Sequence, residues 1–127
     1  MPDFSGSLTS PMGETYPAPY VTARLGWRGQ FRDLPGLIDS GADQSTIPRI
    51  TAQALGLQKI SEVYVEDANG GSQERDVFVV DLQFHGLAIA ALPVAATDFP
   101  VILIGRDVLK DVVTELNGPA QTFSISY

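Results

Sequence analysis

The stretch Leu37-Ile38-Asp39-Ser40-Gly41-Ala42 decides how this chain is interpreted, because it places a carboxylate directly after a pair of apolar residues. Taken alone, the triplet Asp39-Ser40-Gly41 is typical of an ordinary turn, in which Asp and Ser bond the local backbone and Gly takes a positive φ. A surface turn would have polar neighbours, however, and a carboxylate at the end of a buried strand is costly unless it has a use. Asp39 is therefore a candidate catalytic residue whose assignment depends on the rest of the chain.

Two later segments bear on Asp39. Glu62 to Asp67 and Gln73 to Phe84 are predicted to be the two strands of a long hairpin with a glycine tip that includes Gly70 and Gly71, since Asn69-Gly70 is a strong hairpin signal. Val101-Ile102-Leu103-Ile104-Gly105-Arg106 is a second apolar run that leads into a glycine loop, and it predicts a second buried strand.

The rest of the sequence indicates a mainly β chain with one or two short helices. Residues 1–19 are rich in proline and are predicted to form an N-terminal arm, which leaves one domain over residues 20–127. A first hairpin is expected near residues 20–32, followed by an irregular stretch from Phe31 to Gly36. Pro48 is expected to begin a short helix that Gly56 stops. Further strands are expected at 87–94, 112–116 and 121–127.

Composition narrows the possible functions. The chain has 127 residues, 44% of them hydrophobic and 18% charged, which is typical of a compact folded domain. A net charge of -7 argues against a nucleic-acid partner. No signal peptide and no membrane-spanning run is visible, so a soluble protein, cytoplasmic by default, is the expectation. The absence of cysteine leaves the compartment open.

With these landmarks in order, the sequence from about Tyr20 to Tyr127 resembles the retroviral-type aspartic proteases, or retropepsins. The resemblance implies a closed or folded β-barrel with a hairpin flap, and a homodimer in which each copy supplies one catalytic aspartate. It maps that aspartate onto Asp39, with Ser40, Gly41 and Ala42 as the active-site loop.

The same resemblance implies roles for residues outside the loop. The flap would be the hairpin from Val63 to Val79, with Gly70 and Gly71 contacting substrate at its tip. Val101 and Leu103 would line apolar specificity pockets. Arg106 would form an ion pair with Asp43 that braces the loop. The last strand, 122–126, would interleave with the partner's terminus.

Other chemistries are disfavoured by the sequence. The remaining candidate acids are not followed by Ser/Thr-Gly and are expected to be structural or surface groups: Asp33, Asp81, Asp98 and Asp107. His85 stands alone, without the second histidine or the cysteines that a metal site would need, so no metal and no cofactor is predicted.

The expected function is that of a homodimeric endopeptidase acting on a peptide or protein substrate. Hydrolysis through an activated water needs one group that takes a proton and another that gives one, and a pair of Asp39 carboxyls would supply both. Two alternatives stay open. One is a catalytically weak dimerisation or peptide-binding module of the same fold, and the other is a small β-barrel that binds a hydrophobic ligand.

Overall fold

The computed structural model describes residues 3–66 and 70–127, apart from the side chain of Val65. It contains ten strands and two short helices within those ranges: β1 (Asp3–Ser7), β2 (Tyr20–Trp27), β3 (Gln30–Ile38), β4 (Thr46–Pro48), α1 (Arg49–Leu55), β5 (Lys59–Glu66), β6 (Ser72–Phe84), β7 (Leu87–Thr97), β8 (Ile102–Ile104), α2 (Arg106–Leu109), β9 (Val113–Asn117) and β10 (Thr122–Ser126).

Six strands close into a barrel. Their order is β2-β3-β8-β4-β7-β6, and antiparallel pairing between β2 and β6 joins the two ends. β5 extends the sheet beyond β6 and forms with it the long hairpin expected from the sequence, whose residues 67–69 lie outside the described ranges. The predicted mainly β, closed-barrel fold is confirmed.

Alternating side chains explain why these strands surround one core. Val21, Ala23 and Leu25 of β2 are buried while the residues between them face outward, as the period of a half-buried strand requires. The apolar strand β7, which includes the strand predicted at 87–94, lies between β4 and β6 inside the sheet.

The expected irregular stretch from Phe31 to Gly36 is wrong, because β3 runs without interruption from Gln30 to Ile38. β8 pairs with β3 only from Gly36 onward, so Pro35 has a strand neighbour on one side alone, where proline is tolerated. Gly36 is tightly packed, since a Cβ there would lie 3.1 Å from Ile104 Cδ1 and 3.3 Å from Ala23 Cβ.

The N-terminal segment is more ordered than a loose arm. β1 pairs with β10, and β10 pairs on its other side with β9, so these strands form a separate three-stranded sheet. Phe4 packs against the core from β1. Both edges of β10 are therefore occupied within one chain, and the expected interleaving of residues 122–126 with a partner is not available to β10 itself.

The first helix begins at Arg49, one residue later than predicted, because Pro48 is extended and belongs to β4. The predicted stop at Gly56 is confirmed, and Gly56 takes the left-handed conformation with φ 62°. Its buried face is formed by Thr51, Ala52 and Leu55. Neither described helix has the length and apolar character needed to cross a bilayer.

Candidate active site

Asp39 lies where β3 leaves the barrel. The parallel neighbour β8 holds this position, because the Asp39 amide donates to the Ile104 carbonyl at 2.9 Å. The half-buried Asp39 side chain accepts a hydrogen bond at Oδ1 from the Gly41 amide at 3.0 Å, and the Ala42 amide donates to the Asp39 carbonyl at 3.2 Å. The predicted loop, Asp39 to Ala42, is thus a tight turn whose carboxylate is fixed by local backbone.

A second loop, at the end of β8, interlocks with the first. The Arg106 amide donates to the Ala42 carbonyl at 2.8 Å. Gly105 is buried between the loops, and a Cβ on it would lie 2.9 Å from the oxygen of Ala42 and 2.9 Å from the backbone carbon of Gln44. The two glycine loops that the sequence pattern paired are therefore in direct backbone contact.

The Arg106 side chain also reaches the first loop. Its guanidinium contacts the Asp43 carboxylate and donates from Nη1 to the Ser40 carbonyl at 2.7 Å. Because the pair is exposed, its electrostatic contribution to stability is small, and the geometric constraint on Ser40 matters more. The structure brings together the two residues that the resemblance paired, and adds Ser40 as a third participant.

A buried hydroxyl, which the sequence did not reveal, joins the same two loops. Ser45 is fully buried; its Oγ donates to Asp107 Oδ1 at 2.8 Å and accepts from the Gly105 amide at 3.0 Å. The Ser45 amide donates to Asp107 Oδ2 at 2.9 Å. Asp107 is structural, as expected, but its partner lies 62 residues away and no local pattern in the sequence marks it.

A cleft of about 640 Å³ opens beside the Asp39 loop and extends to the long hairpin. It is lined by loop residues Gly41, Ala42, Asp43 and Gln44, by hairpin residues Val63, Tyr64 and Glu66, and by barrel residues Thr46, Ala95, Thr97, Phe99 and Leu103. Leu103 is on the wall of this cleft, and its role in binding substrate stays a prediction. The sequence did not single out Thr46, Tyr64 or Phe99.

Three residues expected to bind substrate do not line this cleft. Val101 has 1% of its surface exposed and packs in the interior, because β8 begins only at Ile102 and the chain bends before it. Gly70 and Gly71 are exposed at the described end of the hairpin, and Gly70 has φ +81°, which glycine adopts readily. The hairpin residues that line the cleft are Val63, Tyr64 and Glu66 of β5.

Acidic side chains cluster on the outer part of that hairpin. Carboxylate oxygens of Glu62, Glu74 and Asp76 lie within 4.8 Å of one another, close enough to hold a cation. All three are exposed, and the Lys59 ammonium group already contacts Glu62 and lies 3.1 Å from Asp76. A hydrogen bond from Lys59 holds the pKa of Glu62 below its ordinary value, and the hydrogen bond with Glu62 raises the pKa of Glu74.

Comparison with known proteins supports the family resemblance. Residues 21–110 match the sequence family described as aspartyl protease. A retropepsin-like aspartic protease from Rickettsia conorii superimposes with a TM-score of 0.70 at 13% identity, covering 99% of this chain and 94% of that one. EIAV protease, solved with the inhibitor HBY-793, gives a TM-score of 0.61 at 25% identity, covering 74% and 86% of the two chains.

The protease of Simian Foamy Virus (mac) has a TM-score of 0.55 at 18% identity and covers 72% of this chain and 92% of its own. No curated protein sequence matches the chain. The retropepsin-like architecture predicted from the Asp39 loop, the hairpin and the Gly105 loop is confirmed.

Proposed function

The chain belongs to the aspartyl protease family, and from this premise we propose that it is an aspartic endopeptidase active as a homodimer, with Asp39 of each copy forming the catalytic pair. The observation that carries the proposal is the fixed position of Asp39. Asp39 directly follows the barrel strand β3, and its carboxylate accepts a hydrogen bond from the Gly41 amide. The loop that carries Asp39 borders the cleft through Gly41 and Ala42.

The chemistry requires two carboxyls in different protonation states. When two such groups are close enough to share a proton, ionising both is unfavourable, so one stays protonated while the other is charged. The charged group accepts a proton from the attacking water, and the protonated group donates to the carbonyl oxygen of the peptide bond. Because one chain contributes a single Asp39, the second carboxyl comes from a second copy.

The cleft suits an extended peptide. Its walls combine apolar groups of Ala42, Val63, Ala95, Phe99 and Leu103 with the hairpin above them. Apolar walls with a few polar groups bury side chains and fix their orientation. In this proposal the hairpin β5–β6 acts as the flap, with Gly70 and Gly71 nearest the substrate backbone, while Arg106 and Asp43 keep the Ser40 loop in place.

The test compares the wild-type protein with Asp39→Asn on a mixed peptide library at several pH values, with products identified by mass spectrometry. Asp111→Asn is a matched control, because the Asp111 carboxylate is exposed and, among the described residues, contacts only the neighbouring Lys110. We expect cleavage by the wild type and by the control, greatest in mildly acid solution, and none by Asp39→Asn. Equal cleavage by all three proteins would refute the assignment.

Dilution tests the requirement for two copies. Specific activity is expected to fall as the protein is diluted below the dimer dissociation constant, and activity that stays linear down to a demonstrated monomer contradicts the shared site. A stable dimer that binds peptides but cleaves none would instead support the peptide-binding module.

A further inference from the structure

A groove of about 290 Å³ lies at the tip of the β2–β3 hairpin. None of the described residues lines both this groove and the cleft beside the Asp39 loop. The nine residues of β3 separate the groove from Asp39, a distance on the order of 25–30 Å. The residues that give this hairpin groove its character are Arg24, Gly26, Trp27, Arg28, Phe31 and Asp81.

The floor of the hairpin groove is a glycine. Gly26 pairs with Phe31 of β3 on one side and with Asp81 of β6 on the other, and it faces outward because the adjacent Leu25 is fully buried. A Cβ at Gly26 would meet only the Gln30 carbonyl oxygen, at the ordinary contact distance of 3.6 Å. The fold therefore has room for a side chain here, and a glycine inside a strand is typical of a place where another molecule approaches closely.

The walls of the hairpin groove combine exposed aromatic rings with arginines. Phe31 is 51% exposed, and the Arg24 guanidinium lies 3.9 Å from the centre of its ring. The Arg28 guanidinium lies 5.9 Å from the centre of the Trp27 ring. Aromatic residues and arginine are the residue types enriched where proteins bind one another. The composition of the groove thus favours a protein segment as its occupant.

The charges in the hairpin groove are unevenly placed. Arg24 donates two hydrogen bonds to Asp33 and is neutralised by it. The Asp81 carboxylate accepts from the Ala91 amide at 2.8 Å. Arg28 has no carboxylate within 4 Å in the described part of the chain, although the protein has 15 acidic and 8 basic residues and most other basic side chains are ion-paired. Arg28 is therefore the one cation of this groove that is available to an external carboxylate.

We propose that the hairpin groove is a docking site for a segment of a protein substrate in which one carboxylate side chain stands next to a large apolar side chain. The carboxylate pairs with Arg28, and the apolar side chain packs over Gly26 against Phe31. Nucleic acids and anionic membranes present arrays of negative charge, which Asp81, Asp33 and the net charge of -7 oppose. The inference rests on the proposed peptidase function only where it calls the partner a substrate, because docking itself requires no cleavage.

Docking at this distance makes a specific demand on the substrate. An extended chain needs about eight to ten residues to span 25–30 Å, so the docking segment has to lie at least that far from the bond that is cut. Binding at the groove raises the local concentration of the cleavage site at the cleft. It is therefore expected to lower KM and to leave kcat unchanged.

The binding test uses Asp39→Asn protein, so that no peptide is cleaved. The probes are the blocked peptide Gly-Ser-Glu-Leu-Ser-Gly and two relatives with Gln in place of Glu or Gly in place of Leu. Trp27 is the single tryptophan of the chain, so its indole N–H gives one NMR signal that reports on the groove. We expect this signal to shift with a Kd on the order of 1 mM for the Glu-Leu peptide, and each relative to bind about tenfold more weakly.

Three variants locate the contact. Arg28→Gln removes the free charge and should weaken binding of the Glu-Leu peptide about tenfold. Gly26→Leu fills the groove without changing any charge and should abolish binding, while a melting temperature close to that of the wild type shows that the fold is intact. Arg32→Gln is the control, because Arg32 lines a separate depression with Ile50 and its loss should change Kd by less than about twofold. Equal weakening by Arg28→Gln and Arg32→Gln would mean general charge attraction and would overturn the proposal.

A cleavage assay separates this inference from the peptidase function. In a peptide that the wild type cleaves, a Glu-Leu segment placed about ten residues from the cut should lower KM about fivefold or more relative to Gln-Leu, and Arg28→Gln should remove the difference. Arg28→Gln should cleave a peptide without the segment as fast as the wild type does. If no protein cleaves but the Glu-Leu peptide binds at the groove, docking stands and the peptidase function fails. If that peptide does not shift the Trp27 signal, or if an oligothymidylate or phosphatidylserine vesicles shift it and the peptide does not, the proposal is overturned.

Discussion

The Ser45 hydroxyl donates to Asp107 Oδ1 at 2.8 Å and accepts from the Gly105 amide at 3.0 Å, which ties the loop after Asp39 to the loop after β8. Ser45 is fully buried, so each of its partners would lose its bond without access to bulk water if the hydroxyl were removed. This one side chain couples the two loops that define the candidate site.

Ser45→Ala is expected to lower the free energy of unfolding by about 1–3 kcal/mol, because it leaves buried polar groups unpaired. Chemical denaturation measures the change. Ser61→Ala is the control, since Ser61 is exposed on β5 and should alter stability little. A Ser45→Ala protein as stable as the control would show that the network contributes nothing.

Gly105 has no room for a side chain. An added Cβ would lie 2.9 Å from the oxygen of Ala42, which is backbone and cannot move without displacing the Asp39 loop. Gly105→Ala should therefore cost about 1–3 kcal/mol of stability and most of the activity. Gly118→Ala is the matched control, because nothing lies within 4 Å of a Cβ at that turn. The melting temperature and the rate of peptide cleavage, measured for both variants, test this prediction.

The sequence predicted where most strands and the first helix lie better than it predicted which strands pair with one another. Strong local signals located the Gly56 helix stop, the long hairpin and the apolar strand β8. Pro35 suggested an irregular stretch, although a proline is tolerated in a strand that has a neighbouring strand on one side alone. This condition is met because β8 pairs with β3 only from Gly36 onward, which local sequence does not reveal. Local signals also cannot reveal that the N-terminal segment pairs with the C-terminal strand.

In the candidate site, too, the sequence revealed residues in short motifs but not residues whose partners are distant along the chain. The pattern around Asp39 and Arg106 was visible because it lies in two short motifs. Ser45 follows the first motif without a distinctive pattern, and its role comes from hydrogen bonds to Asp107 and Gly105, which are 62 and 60 residues away. Val101 was assigned to the cleft by position in the motif, but the bend before β8 turns it inward.

Arg106 and Asp43 are expected to differ in importance although they form one ion pair. Asp43→Asn should cost less than about 1 kcal/mol of stability, because the pair is exposed. Arg106→Ala also removes the bond to the Ser40 carbonyl, so it should lower kcat/KM about tenfold or more by loosening the loop. The exposed pair of Arg24 and Asp33 provides a control, as Arg24→Ala should leave kcat/KM unchanged. Equal losses from Asp43→Asn and Arg106→Ala would contradict this division.

His85 should report on the packing of the N-terminal strand. Its ring stacks on Phe4 with centroids 3.4 Å apart, and partial burial lowers its pKa below the ordinary value of 6.5. The folded state thus binds a proton less readily than the unfolded state does. The free energy of unfolding should fall as the pH drops through the ordinary histidine range, and this contribution should be fully present above it.

A proton NMR titration measures the pKa directly, since the chain has a single histidine. Phe4→Ala should raise the pKa of His85 toward its ordinary value by exposing the ring. Phe31→Ala, which removes an exposed ring stacked on Arg24, should leave it unchanged. A pKa that does not respond to Phe4→Ala would show that another group causes the shift.

The three-stranded sheet is the surface through which two copies are expected to pair. β10 is occupied on both edges by β1 and β9 of its own chain, so a second copy has to meet the free edges or the outer face of this sheet. β9 carries the larger apolar groups there, since Val113 is 58% and Leu116 is 64% exposed. Leu116→Glu should therefore weaken the dimer about tenfold or more, because the apolar contact of Leu116 with the second copy is lost and a charge is introduced.

Sedimentation and the concentration dependence of cleavage measure that change together. The variant should lose activity at low concentration and recover it at high concentration, since the Asp39 loop itself is untouched. Ile50→Glu is the control, because Ile50 is 75% exposed on α1, away from the three-stranded sheet, and should leave the dissociation constant unchanged. If both variants dimerise like the wild type, β9 does not form the dimer contact. The other edge strand of this sheet, β1, is then the next one to test.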